Sequence, residues 1–203
     1  MAGPALADLL WGVESPSGKL PVTFPKSVGQ CPLYYNHANT GRPPREYDFE
    51  RDKNFDVKIN TELGYNSSYL DVTPYPLFPF GYGLSYTTFG YGPVELSTDK
   101  LRAGQTLAVR VPVKNTGSVA ADEVVQLYVR DVVGSLTRPV RELKQFRRIH
   151  LTPGEQQVVE FALPADDLAF YNNEEERVLE PGKVEIFVGG SSLAPLAGEI
   201  EVE

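Results

Sequence analysis
The sequence is short of the residues that build metal centres and cross-links. Its 203 residues include one cysteine, Cys31, and two histidines, His37 and His150. A single thiol cannot close an internal disulfide, and two imidazoles with one thiol are too few for the usual zinc sites. No metal and no cofactor are expected, and Cys31 reads as a small buried hydrophobe. Basic charge is also scarce: 19 Lys and Arg stand against 27 Asp and Glu, for a net charge of −8. A nucleic-acid surface needs a basic patch or stripe. The densest basic run, Arg138 to Arg148, is broken by Glu142 and by apolar residues, so no nucleic-acid partner is expected. The acidic excess serves solubility. Long apolar runs are missing too. The opening MAGPALADLLWG has no basic n-region and no long apolar stretch, so it reads as neither a signal peptide nor a membrane span.

What the chain does have is turns and aromatics. Eighteen Gly, 17 Pro, 11 Tyr and 10 Phe favour short strands and ordered loops over long helices. Leu6, Leu9 and Leu10 follow helical spacing at the start. A turn at Ser15-Pro16-Ser17-Gly18 and a strand-like Leu20-Pro21-Val22-Thr23-Phe24 come next. That strand has no neighbour within residues 1–30, so its partner is either absent or further along the chain. Residues 31–76 show weak periodicity and a charged stretch from Arg45 to Lys58. Tyr34, Tyr35, Tyr47, Tyr65, Tyr69 and Tyr75 argue for at least partial order there. The run Leu77–Phe89, LFPFGYGLSYTTF, combines large aromatic area with flexible glycines and one stiff proline. It reads as a rigid joint between domains, with an aromatic sugar platform as the rival reading.

From about residue 90 the pattern has period two. Leu107, Val109, Val111 and Val113 alternate with polar or small residues, and so do Val125, Leu127 and Val129, and Val184, Ile186 and Val188. Further strands are expected around Phe146 and Ile149, over 158–163, near Phe170 and over 199–202. About seven short strands with regular turns predict a mainly β chain ending in a fibronectin type III-like β-sandwich, preceded by a small α/β remnant and a long loop. The division expected is 1–30, 31–89 and 90–203. Pro112 inside a strand suggests an edge or a bulge.

Several stretches together resemble the C-terminal part of a glycoside hydrolase family 3 enzyme of the β-glucosidase class, in its periplasmic bacterial branch. They are Pro16–Pro25 (PSGKLPVTFP), Tyr35–Pro43 (YNHANTGRP), Phe78–Thr87 (FPFGYGLSYT), Val113–Gly117 (VKNTG) and Arg138–Lys144 (RPVRELK). Many members read Arg-Tyr-x-Asp upstream of the FGYGLSYT run, where this chain reads Ser68-Tyr69-Leu70-Asp71. The departure puts a local contact with a neighbouring domain in doubt.

The resemblance implies a parent enzyme that hydrolyses terminal β-D-glucosyl residues with retention, exported to the periplasm or beyond the cell. Retention needs two carboxylates about 5–5.5 Å apart. In the family the nucleophilic Asp lies in an N-terminal barrel domain and the acid/base Glu earlier in the α/β domain. Neither position maps onto this chain, so no catalytic residue is assigned and the chain alone is expected to be inactive. It would serve as a structural, domain-docking module whose partners are the barrel and α/β domains, and a β-glucoside or oligosaccharide through them. Self-association is left open. Glu174, Glu175 and Glu176 read as a solvated loop. The candidate sugar contacts are Asn36, His37, Asn39 and Arg42, whose side chains suit hydroxyl groups; packing of a domain junction is the competing role for that loop. The rival functions are a free-standing β-sandwich module that binds carbohydrate or protein, and a purely structural domain.

Overall fold
The computed structural model describes residues 2–43, 69 and 72–203. The Arg45–Lys58 stretch, Tyr47, Tyr65, and Ser68, Leu70 and Asp71 lie outside the described residues. Two sheets pack face to face. The first is centred on β4 (Thr106–Asn115), with β1 (Phe89–Tyr91) and β2 (Glu95–Leu96) on one side and β7 (Gln156–Pro164) on the other. The second runs β3 (Lys100–Leu101), β11 (Leu196–Val202), β10 (Gly182–Gly189), β5 (Ala121–Asp131), β6 (Glu142–Leu151). All pairs are antiparallel except β3 with β11. A small hairpin, β8 (Phe170–Tyr171) with β9 (Arg177–Val178), sits apart.

Alternation decides which face goes in. Leu107, Val109, Val111 and Val113 of β4 are fully buried, and they meet Val125, Leu127, Ile186, Ile200 and Phe161 in one core. The described residues form eleven strands, four more than expected. The additional ones, β1, β2, β3 and β9, are two or three residues long and carry no readable period. Pro112 is neither on an edge strand nor at a break in register: it lies in the central strand opposite Val158. Its carbonyl accepts from Gly92 N at 2.8 Å. The imide nitrogen faces the same way, into the gap between Tyr91 and Glu95 where the partner strand is interrupted, so no ladder donor is lost.

The N-terminal third folds against the second sheet. Helix α1 (Ala2–Leu10) has no buried residue. The strand-like 20–24 segment finds its partner further along the same chain: Phe24 N donates to Phe78 O at 2.9 Å, Leu20 N to Tyr82 O at 2.8 Å, and Gly81 N to Leu20 O at 2.8 Å. Cys31 is exposed, not buried as the composition suggests. The interior place beside it belongs to Gln30, whose amide accepts from the Lys26 and Ser27 backbone and donates to Thr73 O and Tyr75 O. Tyr69 OH adds a contact to Gln30 O at 3.4 Å.

At three points backbone is approached so closely that a Cβ has no room, two of them at the sandwich and one between the Gly83 and Gly18 segments. At Gly81 (φ +77°) it would fall on Gln126 Oε1 and near the Tyr128 hydroxyl; at Gly83 it would fall on Gly18 O; at Gly117 on Thr87 Oγ1. Asn115, the asparagine of the VKNTG turn, is fully buried and uses its whole amide. It donates to Val119 O (2.8 Å) and Leu151 O (2.9 Å), and accepts from Thr87 Oγ1 (2.6 Å) and Gly117 N (3.1 Å). One side chain thereby ties β4, β6 and the end of the aromatic joint.

Replacing Asn115 with Ala leaves four polar groups without their partner, the buried Leu151 carbonyl among them, and a loss of about 3 kcal/mol is expected. It should appear as a lower urea midpoint at unchanged slope. A second comparison isolates the close approach. Gly104 (φ +78°) has open space where a Cβ would go, so Gly104→Ala carries only left-handed strain, about 1 kcal/mol. Gly81→Ala carries the same strain and also displaces Gln126. Its melting temperature should fall below that of Gly104→Ala, and the reverse order would remove the packing argument.

Candidate functional site
β5 is buried on both faces, which sets up the junction. Its inner face feeds the core, while Gln126 and Tyr128 point out of the sandwich and are still 3% and 0% exposed. Gln126 Nε2 donates to Gly81 O (3.1 Å) and Gly190 O (2.8 Å), and its Oε1 accepts from Tyr128 OH. Above them Tyr35 stacks on Phe80 with centroids 4.2 Å apart and meets Tyr128 edge-on at 6.1 Å. Phe78 stacks on Tyr82 at 5.3 Å. The FPFGYG run therefore lies on the outer face of β5 and β10, and one of its carbonyls, Gly81 O, is read by a buried glutamine. Burial, together with the neighbouring Tyr35 and against the opposing pull of Arg141, pushes the Tyr128 phenol well above its ordinary range.

Lys19 of the PSGKLP stretch pairs with the almost buried Glu123 of β5 at 2.9 Å, and Tyr91 OH donates to the same carboxylate at 3.2 Å. Desolvation first, then the Glu123 charge and hydrogen bond, drive the Tyr91 phenol strongly upward. This triad borders an open cleft of about 430 Å³ lined also by Tyr82, Ser85 and Thr87.

The Arg138–Lys144 stretch holds the other side. Val140 N donates to His37 O at 2.9 Å, and Ala38 bridges to Pro139, so the 36–43 loop is pinned to it as a short ribbon. Arg138 lies 4.1 Å over the Phe170 ring and 3.4 Å from both Asp131 and Glu142. Arg141 lies 3.9 Å over the Phe187 ring, and its Nη1 donates to Ser192 O and to Ala194 O (2.9 Å).

The four candidate sugar contacts are all exposed, and the structure separates them. His37 lines a cleft of about 490 Å³ together with Tyr34, Tyr35, Tyr75 and Arg141. Asn39 lines a smaller one of about 200 Å³ beside Asp131 and Arg138. Asn36 lines none of these three clefts; neither does Arg42, which is engaged in its own contact. The residues that organise the junction, Asn115, Gln126 and Arg141, were not among the candidates. Asn115 and Arg141 stood inside the quoted motifs, but a side chain's partners are set by pairing that only the fold reveals. Gln126 carried one faint signal: a polar residue inside a continuous Val-Val-Gln-Leu-Tyr-Val strand.

The largest of the three clefts has no carboxylate in its lining, and the others have one each, Asp131 and Glu123. The acidic Glu174–Glu176 run is the exposed turn between β8 and β9, closed by Asn172 Oδ1 on the Glu174 and Glu176 amides. Among the described residues no three His, Cys, Asp or Glu side chains come together as a metal site, and no helix is long and apolar enough to cross a membrane.

Comparison with known proteins agrees with this architecture. Residues 1–86 match the Glycosyl hydrolase family 3 C-terminal domain, and residues 123–192 match the Fibronectin type III-like domain. A periplasmic β-glucosidase of Salmonella typhimurium is 42% identical over 200 residues, which is 98% of this chain and 24% of that protein. A β-xylosidase of Formosa agariphila is 44% identical over 193 residues, 95% of this chain and 24% of that protein. The crystal structure of a Listeria innocua β-glucosidase in complex with gluconolactone superposes with a TM-score of 0.85 at 42% identity, over 99% of this chain and 26% of that one. The chain thus spans about a quarter of the length of these relatives. It belongs to glycosyl hydrolase family 3, over the portion that holds the family's C-terminal domain and its fibronectin type III-like domain.

Proposed function
We propose that this chain is the docking and scaffold part of a retaining β-glucosidase that removes terminal β-D-glucosyl residues. The nucleophile and the acid/base come from outside these 203 residues. The observation that carries the reading is apolar surface without cover at the start of the chain. Leu6, Leu10, Trp11 and Val13 are 58%, 73%, 80% and 70% exposed, and Val22 and Leu84 are 56% and 70% exposed. Exposed apolar area of this kind marks an interaction surface. Relatives about four times as long supply material to cover it.

On this reading residues 1–30 close an α/β domain, residues 31–89 are loop and joint, and residues 90–203 are the sandwich. The joint fixes the angle at which the 36–43 loop is presented, with Asn36, His37, Asn39 and Arg42 as its candidate contacts to sugar hydroxyls. The name of the Salmonella relative supports a periplasmic setting for the whole enzyme.

The purified 203-residue chain should show no turnover of a chromogenic aryl β-D-glucoside at high protein concentration. Turnover that survives removal of contaminating host enzyme would place a catalytic pair inside these residues and end the scaffold reading. Trp11, the single tryptophan, offers an independent check on the uncovered face. Its emission should be that of a solvated indole and should be freely quenched by acrylamide; a blue-shifted, protected indole would mean that the face is already covered.

A further inference from the structure
The cleft of about 490 Å³ between the 33–37 loop, the Pro74–Pro79 segment and the Ser192–Leu196 turn has an unusual charge. The chain carries −8 overall, yet the lining contains no Asp and no Glu; its charged or titratable groups besides tyrosines are Arg141 and His37. Arg141 is half-buried and stays cationic at neutral pH: burial pulls it down to about 10, opposed by Tyr128 and by Glu185. Glu185 is itself held by Arg130 at 3.3 Å. Among the described residues no carboxylate makes an ion pair with Arg141, and only its Nη1 has hydrogen-bond acceptors, the two carbonyls of the 192–194 turn. Those carbonyls and the Phe187 ring lock the guanidinium in place and leave the Nε and Nη2 donors unused. A fixed, partly desolvated guanidinium without a counter-charge is costly, and its free edge matches a carboxylate in a two-point contact. Beside it, Tyr34, Tyr35, Tyr75, Pro74 and Pro79 form a wall of flat and apolar surface, suited to a ring face.

We propose that this cleft binds a small organic acid that carries a ring, its carboxylate paired with the Nε and Nη2 edge of Arg141 and its ring against the tyrosine and proline wall. Two sources share that chemistry, a sugar acid and an aryl acid. The site does not depend on the glucosidase reading, because it needs no reaction and no other domain.

The test is binding to the 203-residue chain by saturation-transfer NMR and calorimetry. The probes are D-glucuronate and benzoate, each beside its neutral counterpart, D-glucose and benzyl alcohol. At least one acid should bind about tenfold or more tighter than its counterpart, and which one does so identifies the source. Arg141→Lys keeps the charge and loses the fork, and should weaken that acid about fivefold or more. Tyr34→Ala, at a position 64% exposed and so tolerant of change, should weaken it as well. Arg147→Met on the exposed part of β6 should change nothing. Arg141→Met should erase the preference for the acid; if that variant does not fold, the Lys and Ala variants decide. Equal binding of acid and neutral probe, no binding of either acid, or an acid preference untouched by both Arg141→Lys and Tyr34→Ala would each overturn the proposal.

Discussion

The structure depends on one constraint: the outer face of β5 and β10 has to be covered, and what covers it is main chain. Gln126 meets it. Placed on the solvent side of a half-buried sheet, a glutamine would ordinarily be wet. Here it is buried, and its amide satisfies the carbonyls of Gly81 and Gly190 that would otherwise be lost to water. An apolar residue of that size would fill the space and leave both carbonyls unpaired. Gly81 follows from the same requirement, since backbone that lies flat on the Gln126 amide leaves no room for a Cβ. Aromatic rings then close over the polar contact and keep its dielectric low, which strengthens each hydrogen bond.

That arrangement explains why charge near the junction is paired so unevenly. Where the N-terminal third crosses β5, Lys19 reaches Glu123, and both are largely withdrawn from solvent. At the other end of the same strand Arg138 serves Asp131 and Glu142. Between them Arg141 is given carbonyls and a ring but no acid. Burial raises the Asp131 carboxyl above its ordinary range, and Arg138 only partly offsets this. Lys19, Arg138 and Arg141 are therefore cations with unequal neutralisation, and Arg141, the least neutralised of them, borders the largest of the three clefts.

Much of this was legible in residue order, for a physical reason. Burial on one face of a strand imprints a period of two, so β4, β5 and β10 could be placed from alternation, and β6, β7 and β11 from short apolar stretches between turns. The aromatic area and the two glycines of LFPFGYGLSYTTF were visible in composition, and the structure packs that run against the outer face of β5. The short strands β1, β2, β3 and β9 hold no period and were not seen. Pro112 misled because a strand's neighbours are not written in the strand: only the gap between β1 and β2 shows that its missing donor costs nothing. Cys31 misled because small apolar side chains are buried on average, while the local turn had reserved that place for Gln30. Of the site, the loop from Asn36 to Arg42 could be named, but its division between two clefts could not. That division arises from the ribbon with Pro139 and Val140, a contact across about a hundred residues of sequence.

The two family matches leave residues 87–122 uncovered, yet that interval holds β1 to β4 and Asn115. It is the centre of one sheet and the anchor of the joint. A strand such as β4 is satisfied by nearly any branched apolar residue at alternate positions, so its sequence can drift while its place in the core is kept. A buried amide with four partners cannot drift in this way, because any replacement leaves several of them unpaired. The cohesion of the two matched regions thus rests on a few polar side chains: Asn115 and Gln126, which have partners on both sides of the junction, and Lys19, which reaches across it to Glu123. What holds the N-terminal third to the sandwich is a small set of directional contacts under an aromatic cover, and the large apolar core lies entirely on one side of it.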